Sequence, residues 1–273
     1  MLPINFHRTF VPERRLIGAL LHYAARGRQG TYQQIAADTG IPMGDSTGKV
    51  PAILDYARGM GLVELAGPGR SATKRPVLTA FGQVVYSADS SLGEKLTQWL
   101  AHLNLCRGDI GAMAWRSVFA EGRRILGGSF SRQQVENYLM GIHGSGKDRT
   151  GPLIRTYLDG AALGRAGVLA SSEDILQRQK APLLDSYAYA YSAFFLTLME
   201  VCFPGQAQIT LSDLSEKTLC FDVCLWSEDD IEWACSLLDR KGLVRVDREM
   251  RPWILERVAM ADSAWPHIFD DLA

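Results

Sequence analysis

The residues of this chain best suited to chemistry stand together at its start: Phe6-His7-Arg8-Thr9-Phe10, followed by Glu13-Arg14-Arg15. An imidazole can act as a general base or ligand, and a carboxylate can hold a divalent cation. His7, Glu13 and Arg14 are therefore the catalytic candidates, with Glu13 the metal candidate. The same residue types also serve as caps and ion-pair partners just before a helix, and that reading stands beside the catalytic one. No nucleophile elbow, zinc-protease helix, dinucleotide fingerprint or phosphate loop occurs in the chain. The stretch His143 to Gly151 is rich in glycine and cations and precedes a helix, whose start could hold an anion. It lacks the order of a phosphate loop and otherwise reads as an exposed loop.

A second group of residues suits a nucleic-acid backbone: Ser46, Thr47 and Lys49, then Arg70, Lys74 and Arg75. The elements that must position them follow from spacing. Leu16, Ile17, Leu20, Leu21 and Tyr23 recur at helical intervals up to Gly27. Thr31 with Gln34 forms a capping-box pattern opening a second helix that ends at Gly40. Asp45, Ser46 or Thr47 caps a third, with Val50, Ile53, Leu54 and Ala57 on one stripe and Pro51 in its first turn. Leu62–Leu65 and Val77–Thr79 read as two strands joined by a loop of turn formers and cations. Three helices and a basic hairpin make a winged helix-turn-helix, in which the third helix enters the major groove and the wing touches flanking backbone. Lys and Arg there supply affinity and salt dependence more than base specificity. The alternative use of such a module is protein docking.

Charge is distributed unevenly behind a net charge of −1. Residues 1–75 carry ten Lys/Arg against five Asp/Glu, residues 76–170 ten against seven, and residues 171–273 nine against eighteen. A polyanion would be met by the first two thirds. No apolar run approaches the roughly 18 residues of a membrane span, and the N-terminal stretch lacks the apolar core of a signal peptide. The expected setting is cytoplasmic and free of membrane. The five cysteines are odd in number and sit among apolar neighbours, as buried thiols of a reducing compartment do. Cys220 and Cys224 have metal-type spacing without a second pair to complete a zinc site.

Residues 92–142 carry helical stripes, Leu96-Trp99-Leu100-Leu103 first among them, and read as a small bundle. A polar linker is expected around Ser171 to Lys180, then an all-round apolar helix from Tyr187 to Phe203. A strand, a short helix, a helix capped by Ser227 and a second hairpin then repeat the first plan. Its acids, Glu228, Asp229, Asp230 and Glu232, fit helix capping. The expected fold class is mainly α with small β wings. It comprises a winged helix-turn-helix over 1–88, a central helical domain over 89–170 and a winged-helix-like domain over 171–273.

Phe6, His7, Thr9, Phe10 and Arg14 also carry a family resemblance, continued by Gly48-Lys49-Val50 with Tyr56, Leu78-Thr79 with Gly82, Trp99-Leu100 with His102, Trp115 with Phe119, and Arg155-Thr156-Tyr157. In these motifs the chain resembles the bacterial domain-of-unknown-function 4007 family. That family is similar to the SspB proteins of single-strand DNA phosphorothioation, regarded as magnesium-dependent DNA nickases. The resemblance implies nicking of double-stranded DNA with Mg²⁺, or Mn²⁺ in its place, beside an ATPase and a sulfur-transfer enzyme. Arg8 stands where the family commonly has an acid, so the resemblance gives that position no metal role. A non-catalytic winged-helix adaptor or transcription regulator remains the alternative, favoured by the missing catalytic signature.

Overall fold

A computed structural model describes residues 1–43, 48–67, 71–146 and 149–272. The fold is mainly helical, and the described strands form small antiparallel sheets. Two compact units make up the chain, Met1–Gln179 and Lys180–Ala273.

In the first unit, α1 (Arg14–Ala25) buries Leu16, Ile17, Leu20 and Leu21, as its spacing requires. Helix α2 (Tyr32–Thr39) opens with the expected capping box: Gln34 N–H donates to Thr31 Oγ1 at 3.3 Å and Thr31 N–H to Gln34 Oε1 at 2.8 Å. Helix α3 (Val50–Gly59) follows, with Pro51 in its first turn, where a missing N–H costs nothing. Strands β1 (Val63–Ala66) and β2 (Arg75–Leu78) pair antiparallel from Val63↔Leu78 to Ala66↔Arg75. Gly30 and Lys74 exchange backbone hydrogen bonds of 3.0 and 2.8 Å, tying this hairpin to the entry of α2. Then come α4 (Ala80–Ala88), α5 (Lys95–Leu105), α6 (Met113–Arg116) running into a π-helical turn at Ser117–Glu121, α7 (Arg123–Leu126), β3 (Ser129–Ser131), α8 (Arg132–His143), α9 (Thr150–Leu158), β4 (Leu169–Ser172) and β5 (Ile175–Arg178).

Helix α5 departs from the one-sided stripe its sequence suggests, for every residue from Leu96 to Leu105 is buried. Its polar side chains find internal partners. Gln98 Nε2 donates to Leu92 O at 2.8 Å, Asn104 Nδ2 to Leu100 O at 3.0 Å, and His102 Nδ1 lies 2.6 Å from the Tyr157 hydroxyl. Residues 171–180 are likewise not a simple linker. Strand β5 is the middle strand of a three-stranded sheet, flanked by β3 and β4, and it buries Leu176 and Arg178 in alternation. An arginine in an inward position hid that alternation; its Nη2 donates to Phe119 O at 2.7 Å.

The second unit is built around α10 (Ala188–Cys202), apolar on nearly all sides and buried from Tyr191 to Leu196. Strand β6 (Gln208–Thr210), α11 (Leu211–Thr218), α12 (Cys220–Cys224), α13 (Glu228–Arg240), β7 (Val244–Asp247), β8 (Ile254–Arg257) and α14 (Ala261–Ala264) complete it, the strands in the order β6-β8-β7. Ser227 caps α13 with Asp230. Cys220, Cys224 and Cys235 are buried here and Cys106 in the first unit, and burial pushes the Cys220 and Cys235 thiols up to about 12.

Candidate nucleic-acid interface

The N-terminal loop is a run of tight turns, Phe6 N–H to Pro3 O, Arg8 N–H to Asn5 O and Phe10 N–H to His7 O, at 3.1, 3.2 and 2.8 Å. Arg8 (φ 48°) and Thr9 (φ 71°) both lie in the left-handed region. That region costs a non-glycine residue about 1–3 kcal/mol and persists only where the surroundings impose it. Here they do: Arg155 Nη2 donates to Thr9 O at 2.8 Å and the Tyr56 hydroxyl to Phe10 O at 3.0 Å. Phe6 packs edge-on against Tyr56 and lies 5.6 Å from Trp115, which anchors the loop in the core.

His7 belongs to that anchor. Only 2% of it is exposed, between Phe6 and Trp115, and Thr9 N–H donates to its Nδ1 at 3.2 Å. It holds the loop and presents little surface to a substrate. Glu13 is ion-paired with Lys49, whose ammonium also lies 5.5 Å from the centre of the Phe10 ring. Arg14 is a clamp between loops: its Nη2 donates to Gly160 O at 2.9 Å and its Nη1 reaches Ser91 O at 3.4 Å. A hydrated Mg²⁺ wants carboxylate oxygens that carry no competing cation. Glu13 does not fit that need while it holds Lys49, and among the described residues no three His, Cys, Asp or Glu side chains converge.

Of the backbone-binding candidates, Ser46, Thr47 and Arg70 lie outside the described residues. Lys74 donates to Ser71 O at 2.6 Å and sits 6.0 Å from the Tyr32 ring, while Arg75 is exposed on β2. Within helix α3 only Asp55 and Arg58 reach the surface, and α1, α2, α5 and the N-terminal segment pack against the rest.

What surrounds α3 is a cationic rim that spacing alone does not reveal. Arg58 Nη1 meets Asp55 Oδ1 at 2.9 Å. Burial raises the Asp55 carboxyl above its ordinary range, while Arg58, Arg8 and Lys74 all pull it back down. The Tyr32 hydroxyl is raised by burial and by Asp55, with Arg8 and Arg58 opposing. Arg58 is bonded to Asp55, Lys74 lies against the Tyr32 ring, Arg155 is bonded to Thr9 beside Arg8, and Arg8, Arg58 and Lys74 all act on the Asp55 carboxyl. Arg155 falls within the Arg155-Thr156-Tyr157 motif, but its approach to the N-terminal loop is long-range and has no local signature.

The second hairpin is arranged differently. Arg245 pairs with Glu256 at 2.8 Å, Arg248 with Asp239 at 3.0 Å, and Arg251 with Glu232. Each cation there has its own acid.

No protein-family model matches this chain, and no curated protein sequence matches it. Solved structures do match in fold. A crystal structure of SspB superposes with a TM-score of 0.70 at 14% identity, covering 98% of this chain and 87% of SspB. A crystal structure of magnesium ion-bound SspB gives 0.69 at 13% identity over the same shares. Along nearly its whole length this chain is similar in fold to SspB.

Proposed function

We propose that this protein is a DNA-binding, DNA-nicking subunit acting in DNA phosphorothioate modification linked to anti-phage defence. The observation that carries the reading is the fold shared with SspB over 98% of the chain. Its own charge supports the DNA part: residues 1–179 hold 21 Lys/Arg against 14 Asp/Glu, an excess that attracts a polyanion. The order of three helices and the β1–β2 hairpin supports a winged helix over 1–88, which this reading follows with a helical domain over 89–170 and a winged-helix-like domain over 171–273. The partners are double-stranded DNA and the ATPase and sulfur-transfer enzyme of such a system.

Nicking is hydrolysis of one phosphodiester. Water adds at phosphorus, one P–O bond to a sugar oxygen breaks, one water proton passes to that oxygen and the other to solvent. A divalent cation, Mg²⁺ or Mn²⁺, supplies charge stabilisation in such reactions. Because Glu13 is held by Lys49 and His7 is buried, neither serves that step in this arrangement, and no step is assigned to them. The same two facts favour a second reading, a non-catalytic winged-helix adaptor or regulator that brings modification enzymes to DNA.

Incubation of the purified protein with supercoiled plasmid separates the two. Nicking predicts open-circular plasmid with Mg²⁺ or Mn²⁺ and intact plasmid with EDTA. Supercoiled plasmid in every lane, with duplex binding retained, leaves the adaptor.

A further inference from the structure

We infer that Arg8, Arg58, Lys74 and Arg155 seat the sugar–phosphate backbone of duplex DNA, and that the N-terminal unit holds DNA there without reading bases from α3. This inference rests on the DNA-binding reading and adds to it the residues and the mode of contact.

Three observations carry it. Helix α3 exposes one acid and one cation, Asp55 and Arg58, and a base-reading helix needs a row of exposed side chains. The cations around it come from four separate places: the N-terminal loop, α3, the foot of the hairpin and α9. Contacts of fixed geometry position the elements that carry them. Arg155 bonds Thr9 O at 2.8 Å beside Arg8, Arg58 bonds Asp55 at 2.9 Å, and Lys74 is tied by its backbone to Gly30, two residues before Tyr32. Arg8 is exposed although its backbone is strained, and the loop that strains it is pinned at both Thr9 and Phe10. Strain maintained by several unrelated contacts on an exposed cation marks a functional placement. Cations presented from separate elements match a repeating phosphate chain, and the Tyr32 ring lies beside Lys74.

Fluorescence anisotropy with the full chain and two short duplexes of unrelated sequence tests this. The wild type is expected to bind both within about twofold and to lose affinity steeply with salt. The log–log slope should fall by about one for Arg8→Gln and about two for Arg8→Gln with Arg155→Gln, one per lost phosphate contact. Asp55→Asn should tighten binding a few-fold by removing an acid that faces Arg58, a gain that a misfolded variant cannot mimic. Wild-type affinity and slope in the double variant, or a large preference for one duplex, would overturn the seat while leaving DNA binding intact. Absence of any wild-type binding at low ionic strength would instead remove the DNA-binding reading beneath it.

Discussion

The two units use similar parts to opposite electrical effect. Each has a capped helix beside a short antiparallel hairpin rich in arginine or lysine. In the second, residues 180–273 hold 8 Lys/Arg against 16 Asp/Glu, and the hairpin-region arginines Arg245, Arg248, Arg251 and Arg257 are each matched by a carboxylate. In the first, Arg8, Arg58 and Lys74 all act on the Asp55 carboxyl, and residues 1–179 carry an excess of Lys/Arg over Asp/Glu. Hairpin cations therefore do not by themselves make a polyanion site. What decides is how many acids the fold brings to them.

The comparison can be broken first at the cores, where effects are largest. Trp115 anchors the N-terminal loop and Trp226 packs on Tyr191 in the second unit, its indole N–H donating to Ala181 O at 3.1 Å. Truncating a buried tryptophan costs about 3–5 kcal/mol. Trp115→Ala and Trp226→Ala should both lower the denaturant midpoint, but Trp115→Ala should also abolish duplex binding. Equal duplex binding in the two variants at a temperature where both are folded would show that the loop does not depend on its anchor.

A smaller effect comes from buried imidazole. His102 is fully buried, and desolvation holds it well below its ordinary range, with Arg178 pushing the same way. The folded ring stays neutral while the unfolded ring takes a proton near its usual value of about 6.5. Stability is thus fully present above that value and falls as pH drops below it, by up to about 1.4 kcal/mol per pH unit. The only histidine of the second unit, His267, is exposed. Urea unfolding between pH 7 and 5 should show a shallower loss for His102→Gln than for the wild type, and identical slopes would refute the assignment.

The smallest effect sharpens the contrast. Changing Arg245, Arg248 and Arg251 together to Gln should leave duplex affinity and its salt slope unchanged, because each already spends its charge on an acid. A drop in slope would mean that the second hairpin also meets phosphate.

Much of this fold is legible locally. Helix caps at Thr31 and Ser227 are short-range patterns, and both form as the spacing predicts. The apolar run of α10 is equally plain. What sequence does not show is which helix lies at the centre. The stripes of α3 and α5 look one-sided, yet both are enclosed, because Asn104, Gln98 and His102 find internal partners and the N-terminal segment folds over Tyr56. The candidate site divides along the same line. His7 and Glu13 are visible as residue types, but burial and Lys49 determine what they do. Arg8, Arg58 and Arg155 join only through tertiary contacts, where no spacing rule applies.

Hydrogen–deuterium exchange of the full chain with and without duplex DNA tests most directly whether the first unit, not the second, meets nucleic acid. Slowed exchange is expected in the loop around Arg8, in α3 near Arg58 and in the β1–β2 hairpin, with β7–β8 unchanged. Slowed exchange confined to β7–β8, with none around Arg8, would contradict it.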